Sequence, residues 1–335
     1  MLRGFTWTDV HNVRLLNMDD LPNLESVRSA ARRIGPYVHR TPVLTCSTLD
    51  RMVGAEVYFK CENLQKVGAF KFRGACNAAL CLSDEEARRG LGTHSSGNHA
   101  AAVALAARMR GTKAFLVMPG DASRCKVAAV EGYGGNIITC EPTAASRTEI
   151  MERVLAETGA TFIHPSNDPY VIAGQGTATM EFLEEVPGLD VILAPVGGGG
   201  LLSGTALAAA GLSPQTRVLG AEPEGADDAY RSLQEGRIVP SVNPQTVADG
   251  LLTSLGGNTF PIIREHVEQI VTVSEEAIIA GMRHVWERMK IVIEASAAVP
   301  VGALLEGKID LSGLRVGVIL SGGNVDLDKL PWVGS

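Results

Sequence analysis

Lys71 lies in Gly68-Ala69-Phe70-Lys71-Phe72-Arg73-Gly74-Ala75, a lysine set among small and aromatic residues. In apolar surroundings a lysine gives up its proton and can attack a carbonyl. Far along the chain, Gly197-Gly198-Gly199-Gly200 follows directly on the apolar run Val191-Ile192-Leu193-Ala194-Pro195-Val196. Where a strand passes into a helix, such a glycine run leaves bare amides that hold phosphate. Together the two motifs suggest a phosphorylated aldehyde cofactor gripped at both ends. Each has a plainer alternative: a surface lysine near a helix start, and a flexible turn or dinucleotide fingerprint. The G-x-G-x-x-G spacing lacks its third glycine, because position 202 is Leu202, so a phosphate cradle is preferred over a dinucleotide site.

Three further stretches carry oxygen and nitrogen in useful places. Thr93-His94-Ser95-Ser96-Gly97-Asn98-His99 precedes an alanine-rich run. Hydroxyls and free first-turn amides at a helix start suit a carboxylate, or simply cap the helix. Ser321-Gly322-Gly323-Asn324 follows the apolar run Val316 to Leu320. Its hydroxyl could meet a ring nitrogen, or the segment is only a turn. Glu222-Pro223-Glu224-Gly225-Ala226-Asp227-Asp228 clusters oxygens that suit Mg²⁺ or Ca²⁺. An acidic helix start complementing the helix dipole explains the same residues equally well.

The elements that must position these residues alternate. Strands are expected at 56–60, 114–118, 136–139, 191–196, 218–221 and 316–320. Helices are expected at 100–110, 122–132 and 144–158. This alternation predicts parallel sheets with helices on both faces, with ligands beyond the carboxyl ends of the strands. Residues 88–166 hold a complete strand/helix alternation of their own, so they read as a small domain. Residues 1–87 and 167–335 then form the large one.

Length and composition set bounds. At about 100–200 residues per domain, 335 residues suit two domains. A net charge of −7 argues against a nucleic-acid partner. No apolar run approaches ~18 residues, so no membrane span is expected. Met1 to Asp20 has no apolar segment of the secretory kind. The six cysteines include no C-x-x-C pair, and no histidine lies at zinc-ligand spacing from them. They read as reduced thiols of a cytoplasmic protein.

In order and surroundings these motifs resemble the fold-type-II pyridoxal-phosphate enzymes, and most of all the serine racemase and serine/threonine dehydratase family. The resemblance runs from about residue 20 to 333. It rests on the Lys71 motif, Thr93 to His99, Val171-Ile172-Ala173-Gly174-Gln175-Gly176-Thr177, Pro195 to Gly200, and Leu320 to Val325. It implies a fold of two open twisted, mostly parallel sheets in a large and a small domain, and by analogy a homodimer. It implies pyridoxal 5'-phosphate joined covalently to Lys71, with Phe70 near the ring and Asn98 on the ring 3-oxygen. Gly197, Gly198, Gly199, Gly200 and the amide of Leu201 would bind the phosphate, and Ser321 would meet the pyridine nitrogen. Ser95, Ser96, Asn98 and His99 would hold the carboxylate of an amino acid substrate. Glu222, the Ala226 carbonyl and Asp228 match a divalent-cation site, which favours the metal reading of that cluster.

The implied reaction is removal of the Cα proton by Lys71 and loss of a β-hydroxyl, giving an oxo acid and ammonia. Ser321, a hydroxyl in place of a carboxylate, would leave the ring nitrogen unprotonated and favour elimination over transamination. Ser96 matches the serine that serves racemases on the face opposite the lysine, so racemisation stays open as the alternative. Arg147 matches an arginine near the substrate in racemase-like members; otherwise it is a solvated helix residue. Facing the pocket, it could pair with a second carboxylate, which makes 3-hydroxyaspartate a candidate beside serine and threonine. Three departures alter the pocket edge: Ala100 after His99, Glu294-Ala295-Ser296-Ala297-Ala298, and Ser166 after His164-Pro165.

Overall fold

The structure is a computed structural model, and it describes residues 16–95 and 97–333. Helix α1 (Leu24–Ile34) is opened by an Asn23/Ser26 capping box. Strand β1 (Val43–Thr45), α2 (Ser47–Val53) and β2 (Glu56–Lys60) follow, then α3 (Lys71–Cys81) and α4 (Asp84–Arg89). Next come β3 (Leu91–His94), α5 (Asn98–Met109), β4 (Ala114–Pro119), α6 (Arg124–Gly132), β5 (Asn136–Cys140), α7 (Ala144–Thr158) and β6 (Thr161–Phe162). The chain continues through α8 (Pro169–Glu185), β7 (Val191–Pro195), α9 (Gly200–Leu212), β8 (Arg217–Pro223) and α10 (Asp228–Glu235). It ends with α11 (Thr259–His266), β9 (Gln269–Val273), α12 (Glu275–His284), α13 (Ala295–Leu305) and β10 (Arg315–Ile319).

Two sheets result, six-stranded in the order β1-β2-β10-β7-β8-β9 and four-stranded in the order β5-β4-β3-β6. Every pairing is parallel except β1 with β2. Strand β7 is buried at all five positions, as expected for a parallel strand covered on both faces. The expected strands and helices are present with ends shifted by a few residues. Helix α6 starts at Arg124 rather than 122, and β8 runs on to Pro223, which places Glu222 within the strand.

The Val171–Thr177 motif is explained by packing. An ideal Cβ on Gly174 would lie 2.6 Å from Gly74 Cα, and one on Gly204 would lie 2.5 Å from Gly176 N. Helices α3, α8 and α9 therefore touch backbone to backbone through glycines. That contact brings the starts of α3 and α9 close to one another.

Beneath α3 lies a buried charge network. Arg73 donates to both oxygens of Glu62 at 2.7 and 2.9 Å and to both oxygens of Glu181 at 2.8 Å each. Lys60 adds a bond to Glu181 at 3.0 Å. Two cations face two carboxylates here, so the network buries no net charge, and the bidentate geometry fixes where α3 begins.

Candidate active site

In an open α/β sheet, ligands sit outside the carboxyl ends of the strands where the strand order reverses. The six-stranded sheet reverses between β7 and β10. The loops leaving these strands are Val196 to Gly200 and Leu320 to Asn324. The four-stranded sheet reverses between β3 and β6, whose loops hold Ser95 to Gly97 and Ile163 to Asn167. These four loops meet around Lys71.

Lys71 is the first residue of α3. Its Nζ donates to the Pro165 carbonyl at 2.8 Å and stands 5.0 Å from the centre of the Phe70 ring. Burial pushes its pKa down to about 8, partly offset by the charge of Glu294. A minor fraction of neutral amine is thus available close to physiological pH. Phe70 N donates to Ser321 O at 3.0 Å, and Gly323 N donates to Gly68 O at 2.9 Å. The segment carrying Lys71 is therefore laced to the β10 loop, and Ser321 is buried beside it.

The glycine tetrad leads into α9. Its cap, Gly199, has φ +83°, a left-handed conformation that side chains resist, and it offers no capping side chain. A Cβ on Gly198 would collide with Ser166 Oγ, and one on Gly200 would approach Ser166 Cα to 2.9 Å. Ser166 follows Pro165, so the cradle and Lys71 share one wall. A helix start with bare amides and no side-chain cap of its own is a ready-made anion site. The residues present fit pyridoxal phosphate.

Asn98 opens α5. It donates from Nδ2 to Glu294 Oε1 at 2.7 Å and accepts from Asn324 Nδ2 at 3.0 Å. Its orientation is thereby set and one amide hydrogen is left over. Glu294 is buried, which pushes its carboxyl up to about 7 against the pull of Lys126. Its Oε2 has no hydrogen-bond partner, and Lys126 Nζ lies 3.9 Å away. Lys126 also pairs with Asp249. Glu294, Lys126, Asp249 and Pro165 were not singled out for chemistry in the sequence, where Glu294 stood out only for the altered residues after it.

The other candidates fall as follows. Ser95 is partly exposed at the end of β3, its hydroxyl accepting from Gly97 N at 3.2 Å. Ser96 lies outside the described residues. His99 is buried with Nε2 bonded to Ile163 O at 3.1 Å, and its Nδ1 has no partner. Burial and the Lys71 charge drop its pKa to about 3. Its ring is thus neutral and committed to the Ile163 carbonyl just past β6, so its backbone amide, at the helix start, is the group that suits a carboxylate. Leu201 is buried at the start of α9. Arg147 is partly buried on α7, its Nε bonded to Thr143 O at 3.4 Å within the same helix.

The acidic cluster stands apart at the end of β8. Glu222 accepts from Ala229 N at 2.9 Å and Tyr230 N at 2.8 Å, so it does cap α10. Asp228 is fully buried, its carboxylate lacking a well-formed hydrogen bond although the Ser241 hydroxyl lies close enough to favour its charge, and Ala226 is buried beside it. Burial, with Asp228 adding, pushes Glu222 up to about 9, and burial takes Asp228 up to about 7. Among the described residues no group of three or more His, Cys, Asp or Glu side chains could hold a metal ion. Two carboxylates and a carbonyl are what this corner offers, and orphaned buried oxygens suit a hard cation.

All six cysteines are free thiols. No helix among the described residues is long and apolar enough to cross a membrane.

The chain is 50% identical over 312 residues to the beta-hydroxyaspartate dehydratase of Paracoccus denitrificans, covering 93% of this chain and 99% of that one. It is 48% identical to the L-threo-3-hydroxyaspartate ammonia-lyase of Saccharomyces cerevisiae, covering 92% and 95% of the two. The structure of maize serine racemase superposes with a TM-score of 0.90 at 46% identity, covering 92% and 95%. Residues 34–322 match the pyridoxal-phosphate-dependent enzyme family, and the chain belongs to it.

Proposed function

We propose that this enzyme eliminates water from a β-hydroxy amino acid, 3-hydroxyaspartate first among the candidates, with serine and threonine beside it. The observation that carries the reading is Lys71, an amine of lowered pKa set where the reversal points of two sheets converge, with a phosphate cradle on the shared wall. The relatives named for hydroxyaspartate support that substrate.

Bound pyridoxal phosphate supplies an electrophilic carbon for the substrate amine and a conjugated ring that spreads the charge left at Cα. Gly197 to Gly200 and the Leu201 amide hold its phosphate, Phe70 packs by the ring, Asn98 donates to the 3-oxygen, and Ser321 meets the ring nitrogen. The first-turn amides of α5, with Ser95, Ser96 and Asn98, bind the substrate carboxylate. Lys71, once free, takes the Cα proton. The β-hydroxyl leaves with a proton as water, and the imine product hydrolyses to an oxo acid and ammonia. From 3-hydroxyaspartate these products are iminosuccinate and then oxaloacetate. Arg147 pairs with the second carboxylate. Glu222, Asp228 and the Ala226 carbonyl hold Mg²⁺ or Ca²⁺ away from the reacting atoms. Residues 1–87 and 167–335 form the large cofactor-binding domain and 88–166 the small one, in a cytoplasmic homodimer.

The second reading is an amino acid racemase with side dehydratase activity. It is favoured by the serine racemase likeness and by the serine at position 96 of the sequence. An assay of oxo acid and of product chirality over hydroxyaspartate stereoisomers, serine and threonine decides between them. Oxo acid from hydroxyaspartate without inversion supports elimination, and inversion exceeding oxo-acid formation overturns it. Loss of the visible cofactor band on borohydride treatment, absent in Lys71→Ala, checks the covalent link.

A further inference from the structure

Lys126 sits on α6, which packs against α5 and β5 of the four-stranded sheet. Both of its partners come from the other side of the cleft. Asp249 belongs to a single turn, Asp249–Leu251, and Glu294 immediately precedes α13. The Lys126 side chain is only 6% exposed. Burial works against its charge, yet Glu294 and Asp249 outweigh burial and keep it protonated.

The stem of Lys126 has a second contact. A Cβ on Gly97 would collide with Lys126 Cδ. The loop ahead of Asn98 is thus shaped around this side chain. At its tip, Lys126 faces Glu294 Oε2, while Glu294 Oε1 takes the Asn98 amide. An apolar residue would join the two halves at lower desolvation cost, whereas a buried ion pair is directional and sets a register.

We propose that Lys126 is a positioning residue that clasps the four-stranded half to Asp249 and Glu294, and so holds the loop before α5, with its first-turn amides, in place for the substrate carboxylate. It touches neither cofactor nor substrate. The inference rests on the proposed reading of this cleft.

The test compares Lys126→Met, Lys126→Arg and Asp249→Asn in the holoenzyme and in the cofactor-free protein. Lys126→Met is expected to raise KM for the amino acid, lowering kcat/KM by about 10²-fold while kcat changes little. Cofactor affinity, set by Lys71 and the tetrad, stays at the wild-type value. Lys126→Arg, which keeps the charge, recovers most of the loss, and Asp249→Asn shows a smaller loss in the same direction. Amide hydrogen exchange at residues 97–101 of the cofactor-free protein speeds up in Lys126→Met. That arm needs no turnover, so it stands even if every candidate amino acid fails as a substrate. A wild-type KM together with wild-type exchange in Lys126→Met overturns the proposal. So does a loss that Lys126→Arg does not relieve, or a parallel fall in cofactor affinity and melting temperature, which would mark a merely structural residue.

Discussion

Lys71 Nζ donates to the Pro165 carbonyl at 2.8 Å, a bond that spans the two sheets. The donor starts α3, whose preceding residue Phe70 is bonded to Ser321 in the loop after β10 of the six-stranded sheet, and the acceptor lies just past β6 of the four-stranded one. A carbonyl accepts a hydrogen bond from either protonation state of the amine, so it anchors Lys71 without fixing its charge. Charge is governed by burial, which takes the pKa from 10.5 to about 8.

That depression predicts how the cofactor-free protein responds to pH. Between about 8 and 10.5 the unfolded chain holds a proton that the folded chain has released, so stability rises with pH across this window. Below about 8 both states are protonated and the full penalty of ~3 kcal/mol remains. Lys71→Met removes that penalty and loses one hydrogen bond worth ~1 kcal/mol. It should be more stable than the parent by ~1–2 kcal/mol at pH 7, with the gain gone near pH ~10 and reversed above it by the lost hydrogen bond. Urea unfolding at pH 7 and pH 10 measures this. A variant no more stable at pH 7 would mean that Lys71 is not desolvated.

Gly198 makes the phosphate cradle testable without turnover. Its alanine Cβ would collide with Ser166 Oγ, and either the serine or the loop must move. Overpacking of this kind costs ~1–3 kcal/mol, so Gly198→Ala should weaken cofactor binding by about 10-fold or more. Fluorescence titration of the cofactor-free protein with pyridoxal phosphate reads the affinity. Adding Ser166→Ala removes the colliding oxygen and should restore part of the loss, because neighbouring substitutions are not additive. No recovery would place the fault in the loop backbone instead.

The motif loops were legible because each combines a strand end with residues that have few other uses there. The glycine tetrad after Val196 and Ser321 after Leu320 stand out from one-dimensional order alone. Glu294 and Lys126 did not, since each is an ordinary charged residue, one at a helix cap and one within a helix, until folding joins it to a partner 168 positions away. Pro165 is used through its carbonyl, which no residue type announces. Strand order was equally hidden: β10 enters between β2 and β7, and that crossover creates the reversal where the site lies. The Gly174-Gln175-Gly176 stretch was recognisable as a motif, but its packing role emerges only from the α3–α8–α9 contact.

The buried carboxyls predict the pH dependence of a cation effect. Glu222 is raised to about 9 and Asp228 to about 7, so in the folded protein they keep protons that the unfolded chain releases. Without cation, their contribution to stability falls as pH rises from the ordinary carboxyl range through these values. A divalent cation reverses the balance by favouring the ionised pair. Mg²⁺ or Ca²⁺ should therefore stabilise the protein by ~2–3 kcal/mol at a hundredfold excess over Kd at pH 8.5, and raise the melting temperature less at pH 6. Asp228→Asn should abolish the cation-dependent gain and, without cation, be the more stable protein at pH 8.5. An equal cation effect in Asp228→Asn would place the ion elsewhere.

Arg147 carries the substrate prediction. The bond from its Nε to Thr143 O, at 3.4 Å, is long and local, so the guanidinium can leave it at little cost. Removing a charged hydrogen bond to carboxylate costs ~1.5–3 kcal/mol, or about 10- to 100-fold. Arg147→Ala should lose that factor in kcat/KM for 3-hydroxyaspartate and little for serine or threonine, which have no second carboxylate. Lys at this position keeps the charge but not the two-pronged geometry, so it should fall between. Turnover of the three substrates by wild type, Arg147→Lys and Arg147→Ala measures the difference. A uniform loss would remove Arg147 from substrate selection and assign the β-carboxylate to another cation of the cleft.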